Sequence, residues 1–347
     1  MQPAIVHRFP MSAPDDLSRL LAALESGSID ADRILALWCK TEGNGLRNDW
    51  TRAYADLVLR SALARRLGTD EEALRARIPI LVSGGSEGVV SPHLVVIAGA
   101  PASGSPLPGL VAGCASGVIS QAAVGMTEHG RLTAGLVRDA MRQAGLTPAE
   151  TRLVFVRAPS DPARAGWDAR ARAAGALGAA VALGELADDA LSDTGYGVRH
   201  ELFCSRAFVV ARHDGLLQQV LVMGEARGGN PAFRIAHATL ADPIDAPGVA
   251  GILAELGLRA APQLDAAASR RVVAVISKGD APRSGAIRGQ RHVMAIDNDV
   301  AMHRHARAAY GTLLASMVGH TACLVSGGAE HQGPPDGGFA AVVTRTD

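Results

Sequence analysis

Leu324-Val325-Ser326-Gly327-Gly328-Ala329-Glu330 and Leu81-Val82-Ser83-Gly84-Gly85-Ser86-Glu87 are the same seven-residue pattern written twice. Each is an apolar, strand-like run that ends in a serine, two glycines, a small residue and a glutamate. A single Ser-Gly-Gly is an ordinary turn. The same pattern near both ends of one chain marks internal duplication, so the chain is read first as repeats.

Working outward, one order of elements recurs three times: strand, helix, strand, helix, strand, strand. In the first pass, strands are expected at 4–9, 33–38, 78–82 and 93–97. Helices are expected at 15–25 and from Asn48 or Asp49, as caps, to about residue 67, the second burying Trp50, Tyr54, Leu57 and Leu63. The second pass places strands at 118–126, 153–156, 203–211 and 216–223, and helices at 131–144 and 163–185. The third places strands at 233–239, 271–276, 321–325 and 339–343, and helices at 247–256 and 297–318. Glycine- and proline-containing joins near 98–108 and 241–247 give units of 1–104, 109–244 and 247–347. The expected fold is mixed α/β: three pseudo-threefold repeating units, each a four-stranded sheet covered by two helices, closing on a central β-barrel ringed by helices.

Composition narrows the function. Formal net charge is zero over 347 residues and aromatics are 3%, which leaves neither a basic footprint nor a stacking platform for nucleic acid. No apolar run nears the ~20 residues of a membrane helix. The stretch Met1 to Pro10 lacks the basic-then-apolar layout of a secretory signal. Cys39, Cys114, Cys204 and Cys323 are scattered without metal-type pairing, and a reducing cytoplasm is the expected location.

Superposing the units makes polar positions coincide. The second strands end in Lys40, Arg157 and Lys278. The second helices carry Arg52, Arg172 and Arg307 early, each followed by alanine. The third strands end in Ser83, Val210 and Ser326. Taken singly, such lysines and arginines are ordinary solvated charges; their recurrence predicts one cleft on a threefold-like axis. A serine hydroxyl becomes a nucleophile when a base takes its proton. A lysine can be that base if burial and neighbouring cations lower its pKa. Three arginines would supply that field and hold the oxygens of a flat, carbonyl-rich ring. Gly84 and Gly327 would let backbone N–H groups approach an oxyanion. The reaction class this implies is acyl transfer: attack on an amide carbonyl, an acyl-enzyme, then hydrolysis. Arg304 rivals Arg307 for the third arginine position, and the match of Thr51-Arg52-Ala53 to Ala306-Arg307-Ala308 favours Arg307. His303, His305 and His331 lack the spacing of a zinc peptidase and read as structural or surface residues. The bent loop 329–337 reads as a plain loop; with Gln332 and Asp280 it also offers oxygens to a hard cation.

The chain resembles the ring-opening amidohydrolases, the cyanuric acid hydrolase and barbiturase family, over essentially its whole length. The most specific pieces are Lys40-Thr41-Glu42-Gly43-Asn44-Gly45 with Asn48-Asp49, and Ser83-Gly84-Gly85-Ser86-Glu87-Gly88 with Ser91-Pro92-His93. In the last third they are Arg288-Gly289-Gln290-Arg291-His292, Arg304-His305-Ala306-Arg307-Ala308 and Ser326-Gly327-Gly328-Ala329-Glu330-His331-Gln332-Gly333-Pro334. The resemblance implies three Ser-Lys dyads around a threefold-like ring. Here one would be Lys40 with Ser83 and another Lys278 with Ser326, with Arg52, Arg172 and Arg307 as clamps and Gly84 and Gly327 as backbone contacts. It implies a structural Mg or Ca ion at Asp280, Ala329, Gln332, Gly333, Pro334 and Gly337, with Asp280 where the family usually has Glu. No other cofactor is expected, and a homotetramer is.

The central departure is in the second unit. The family places its catalytic dyad there, a lysine after the strand and a serine in a Ser-Ala-Gly context. This chain has Val156-Arg157-Ala158-Pro159 and Val209-Val210-Ala211-Arg212. Arginine stays protonated and cannot be the base; valine has no hydroxyl. The expectation is therefore a hydrolase that opens a cyclic amide or imide other than cyanuric or barbituric acid, with Val210 and Ala211 as an apolar wall and Arg157 as a permanent charge for a substrate oxygen. The alternative is a non-catalytic binder of a small cyclic imide or anion.

Overall fold

A computed structural model describes residues 3–46, 48–100, 109–226 and 231–346; most of the expected first join, 101–108, lies outside them. The first unit runs β1 (Ala4–Pro10), α1 (Ser18–Glu25), β2 (Ile34–Lys40), α2 (Trp50–Leu67), α3 (Glu71–Arg77), β3 (Ile80–Ser83) and β4 (His93–Gly99). The second runs β5 (Leu110–Val118), α4 (Thr127–Ala144), β6 (Thr151–Pro159), α5 (Trp167–Ala182), β7 (Ala207–Arg212) and β8 (Leu217–Glu225). The third runs β9 (Phe233–Leu240), α6 (Ala246–Glu255), α7 (Ala266–Arg271), β10 (Val272–Gly279), a small hairpin of β11 (Ala286–Ile287) and β12 (Gln290–Arg291), α8 (Met302–Val318), β13 (Leu324–Ser326) and β14 (Gly338–Arg345).

The three four-stranded sheets have one topology: β1-β4-β2-β3, β5-β8-β6-β7 and β9-β14-β10-β13. In each, the first strand of the unit pairs with the fourth, the fourth with the second, and the second, in parallel, with the third. Because β9 pairs in the third sheet, the third unit begins at Phe233, ahead of the expected boundary at 247.

Alternation along the strands splits the core into layers. On β2, Leu37 and Cys39 face α1 and α2, whereas Ala36 and Trp38 face a core shared with the other two sheets. Phe155, Phe208, Leu221, Ile276, Leu324 and Phe339 belong to that shared core; Phe155 lies 6.3 Å from Trp38 and 5.9 Å from Phe208 between ring centroids. The other faces are covered by α4 and α5 in the second unit and by α6 and α8 in the third. The sheets meet mainly through side chains: their ladders are separate among the described residues, with isolated bridges joining Pro3 to Val111 and Cys204 to Gln332 across unit boundaries.

Two expectations are corrected. The first strand of the second unit is Leu110–Val118, not 118–126, where the chain instead makes a short turn at Gln121–Ala123. This strand is rich in Gly, Ala and Ser because α4 presses on it: a Cβ on Gly113 would stand 2.2 Å from the Ala140 carbonyl oxygen. On α2, Trp50, Tyr54 and Leu57 point outward at 66%, 37% and 53% exposure. Its buried stripe is Thr51, Ala55, Asp56, Leu59, Arg60 and Leu63, with Asp56 and Arg60 neutralising each other at 2.8 Å.

Candidate active site

The same alternation that sends Trp38, Leu81, Phe155, Phe208, Ile276 and Leu324 into the shared core carries the residues two places on to its rim. Those residues are Lys40, Ser83, Arg157, Val210, Lys278 and Ser326. Strand register then pairs them: Lys40 faces Ser83, Arg157 faces Val210 and Lys278 faces Ser326. A cleft of about 510 Å³ opens above them, lined by Ser83, Val210, Lys278 and Ser326 and by Arg52, Arg172 and Arg307 from the three helices. Gly84, Ala211 and Gly327 line it beside their strand ends. Lys40 and Arg157 do not line the cleft: Lys40 lies buried beside Ser83, and Arg157 is turned away.

The two lysines differ in what they touch. Lys40 is wholly buried. Its Nζ lies 3.3 Å from Ser83 Oγ, 3.3 Å from the Gly84 carbonyl oxygen and 2.7 Å from the Val325 carbonyl oxygen of the third unit. Burial pushes its pKa well below the ordinary lysine range, and the charge of Arg307 adds to the effect. Lys278 donates to the carbonyls of Gly327 at 2.7 Å and Gly328 at 3.0 Å, and its Nζ lies 5.3 Å from the Phe208 ring centroid. Burial, then Arg172, pushes it down to about 7. Ser326 Oγ turns to the Gly327 carbonyl at 3.2 Å. Hydrogen bonding thus joins serine to lysine in the first unit, whereas in the third the two side chains turn to backbone carbonyls.

Glutamates four residues after each serine organise the arginines across unit boundaries. Glu87 takes Arg307 through Nε and Nη2, both at 2.6 Å, and Arg304 Nε at 3.1 Å. Glu330 takes Arg172 through Nε at 2.6 Å and Nη2 at 2.9 Å. Burial alone would raise the Glu330 carboxyl, but the Arg172 guanidinium holds it down to about 2. Such bidentate pairs fix the plane of each guanidinium. Arg307 lines the cleft, with Arg304 behind it on the same glutamate.

Arg157 does not reach the cleft. Its side chain is 2% exposed and ion-paired with Asp214, and burial lowers its pKa to about 10, so it stays charged at neutral pH. The expectation that it meets a substrate oxygen is corrected: a buried guanidinium needs a carboxylate, and Asp214 supplies it.

A family model described as "amidohydrolase ring-opening protein" matches residues 5–345. The chain belongs to the ring-opening amidohydrolases. It is 40% identical to a cyanuric acid amidohydrolase of Bradyrhizobium sp. (strain ORS 375), covering 99% of this chain and 98% of that one. It is 38% identical to a cyclic amide hydrolase of Azorhizobium caulinodans, covering 98% and 99%. A solved cyanuric acid hydrolase, described as an innovation by structural concatenation, superposes with a TM-score of 0.92 at 34% identity over 100% of both chains. The cyanuric acid hydrolase from A. caulinodans does so at 0.89 and 37% over 100% of both.

The ring-opening amidohydrolase resemblance also placed a cation in the third unit. Here Asp280 accepts from the Gly328 N–H at 2.9 Å and the Ala329 N–H at 2.7 Å. Gln332 Oε1 accepts from the Val209 N–H at 2.6 Å, and its Nε2 donates to the Gly328 carbonyl at 3.1 Å. The Ala329 and Pro334 carbonyls accept from the Gln332 and Gly337 N–H groups, and Gly333 N–H donates to the Cys204 carbonyl. Both side chains spend their oxygens on backbone N–H groups, and no group of three His, Cys, Asp or Glu is gathered among the described residues. These bonds tie the loop of the third unit to β7.

Sequence reasoning missed the acids. Glu87 and Glu330 stood in the repeated stretch itself, at the same distance from each serine, and Asp214 stands at that distance from Val210. It also missed Asp168, which accepts from Ser160 Oγ at 2.5 Å, pairs with His213 Nε2 at 2.7 Å and lines the cleft with it. Of the histidines, His303 lines the cleft. His305 pairs with Asp297 at 2.9 Å, and His331 bridges the Leu202 carbonyl and the Gly197 N–H.

Proposed function

We propose that this ring-opening amidohydrolase hydrolyses one C–N bond of a cyclic amide or imide, with Ser83 as nucleophile and Lys40 as its base. The observation that carries this reading is the set of three oxygens around Lys40 Nζ. A neutral amine has two N–H donors and one lone pair. With the donors spent on the Gly84 and Val325 carbonyls, the lone pair is left for the Ser83 hydroxyl. Burial favours the neutral form of the amine.

Ser83 Oγ gives its proton to Lys40 Nζ and attacks the ring carbonyl carbon, forming a tetrahedral oxyanion. Collapse breaks the ring C–N bond, and Lys40 returns the proton to the departing nitrogen, leaving the opened chain as an ester on Ser83. A water molecule, deprotonated by Lys40, attacks the ester carbonyl; Ser83 leaves with the proton and the product departs as a carboxylic acid. Arg172 and Arg307, held flat by their glutamates, support the reading as clamps for ring carbonyl oxygens.

Cyanuric acid presents three equivalent edges, and the second unit offers valine to one of them. Little turnover of cyanuric or barbituric acid is expected. Purified wild type, Ser83→Ala, Lys40→Met and Ser326→Ala are assayed on lactams, hydantoins, uracils and triazines. Ser83→Ala and Lys40→Met are expected to lower kcat by about 10³-fold or more, and Ser326→Ala to weaken binding by about tenfold. Turnover unaffected by Ser83→Ala and Lys40→Met would sink the assignment; binding of a ring with no hydrolysis of any would select the non-catalytic reading. By the same resemblance the working assembly is a homotetramer, which light scattering tests. Four free cysteines, three of them buried, fit a reducing cytoplasm. No helix among the described residues is long and apolar enough to cross a membrane.

A further inference from the structure

Two of the three strand-end loops follow one rule, and the third breaks it. In Ser83-Gly84-Gly85-Ser86-Glu87 and Ser326-Gly327-Gly328-Ala329-Glu330, the second residue after the serine is a glycine at positive φ, +86° for Gly85 and +70° for Gly328. A Cβ on Gly85 would stand 2.7 Å from Arg307 Nη2, and one on Gly328 would stand 2.8 Å from Arg172 Nε and Cζ. The glycine therefore lets the neighbouring unit's guanidinium lie on the loop and reach the glutamate two residues later.

The second unit reads Val210-Ala211-Arg212-His213-Asp214. With arginine in place of that glycine, β7 stays extended, and Ala211 and Arg212 pair with Ala158 and Pro159; β3 and β13 stop at their serines. Asp214 holds the glutamate's place in the pattern, and its counterpart by the rule is Arg52. It turns instead to Arg157, to Arg75 at 2.8 Å and to Arg212 at 3.5 Å. Arg52 is left with the Leu46 carbonyl and with Asp49 at 3.8 Å. Asp49 is already accepting from the Gly45 N–H and from the N–H and hydroxyl of Thr51. At this corner the acid of the pattern, Asp214, is shared among Arg157, Arg75 and Arg212 rather than clamping Arg52, and Arg212 brings the cleft a second cation; Asp49, Asp168 and Asp214 line the same cleft. Arg52 and Arg212 both line the cleft, with side chains 28% and 14% exposed. After burial and the opposing pull of Asp49, the charge of Arg212 is the next influence on Arg52, which places the two guanidiniums in one field. Arg172 and Arg307, by contrast, have their charges answered by bidentate glutamates.

We propose that the ring substrate carries a carboxylate, and that Arg52 and Arg212 hold it at the corner where the second unit has lost its serine. Val210, between them and the other two strand ends, packs against the ring carbon that bears the substituent. The proposal rests on the hydrolytic reading only for the ring amide; the charge assignment stands on the exchanged loop.

The experiment pairs rings that differ only in the anion: hydantoin with hydantoin-5-acetate, and dihydrouracil with its 6-carboxylate. Calorimetric titration into full-length Ser83→Ala protein measures binding without turnover, and kcat/KM is measured on the wild type. The carboxylated member of a pair is expected to bind about tenfold or more tighter, with the advantage shrinking as salt is raised. Arg52→Gln or Arg212→Gln, each with an unchanged circular dichroism spectrum, brings the pair to within about twofold, and Arg52→Lys keeps part of the preference. Equal affinity for both members, a preference untouched by both glutamine variants, or no binding of any of the four rings overturns the proposal. Equal kcat/KM on neutral and carboxylated rings overturns the carboxylate site and leaves the hydrolase standing. Preferential binding of the carboxylates with no ring opened does the reverse.

Discussion

Lys278 is 1% exposed, and its pKa of about 7 lies below the ordinary 10.5. Between those two values the unfolded chain holds a proton that the folded chain lacks. Stability therefore rises with pH across that window, and below it, where both states are protonated, the cost of the buried charge is paid in full. Lys40 is depressed for the same leading reason and contributes a slope of the same sign. Urea unfolding of wild type and Lys278→Met from pH 7 to 10 is expected to show a shallower rise in the variant; equal slopes would remove Lys278 as a source. The lysines, serines and arginines of the site were legible in the sequence because repetition aligned them. Their partners were harder to see. Glu87 reaches Arg307 and Glu330 reaches Arg172 from different units, and nothing local in the sequence says which guanidinium lies above which loop.

The elements were legible where a strand or helix buries a plain apolar stripe, as β2, β10 and α4 do. They were misread where packing selects small or polar residues. β5 looks like a loop because α4 leaves no room for larger side chains, and the inner face of α2 holds an ion pair while its tryptophan faces out. The strand-end loops obey the same logic of close approach. Gly328→Ala must place a Cβ at positive φ and against Arg172. Gly27→Ala has a similar φ, +73°, but meets nothing within 4 Å. The backbone term alone is about 1–2 kcal/mol, so Gly27→Ala is expected to lose that much in urea unfolding. Gly328→Ala is expected to lose clearly more, because the Arg172–Glu330 pair must shift. Equal losses would mean that the guanidinium gives way freely.

At the scale of the molecule, the repeated strand order was visible before any coordinates because the motif recurs at both ends of the chain. Among the described residues the three ladders are separate, and their inner faces share one apolar core. Shared packing couples the thirds. Phe155, 2% exposed, lies in ring contact with Trp38 of the first sheet and Phe208 of its own. Phe155→Ala is expected to cost about 3–5 kcal/mol. Tryptophan fluorescence and far-ultraviolet circular dichroism should shift together as one transition, and two separated transitions would show that the thirds unfold independently. The reach of Lys40 to the Val325 carbonyl has a genetic corollary. A product truncated before its last third would keep Lys40 and Ser83 yet lose one of the three oxygens around the amine. Fragments of the gene expressed side by side would have to complement each other to rebuild that environment.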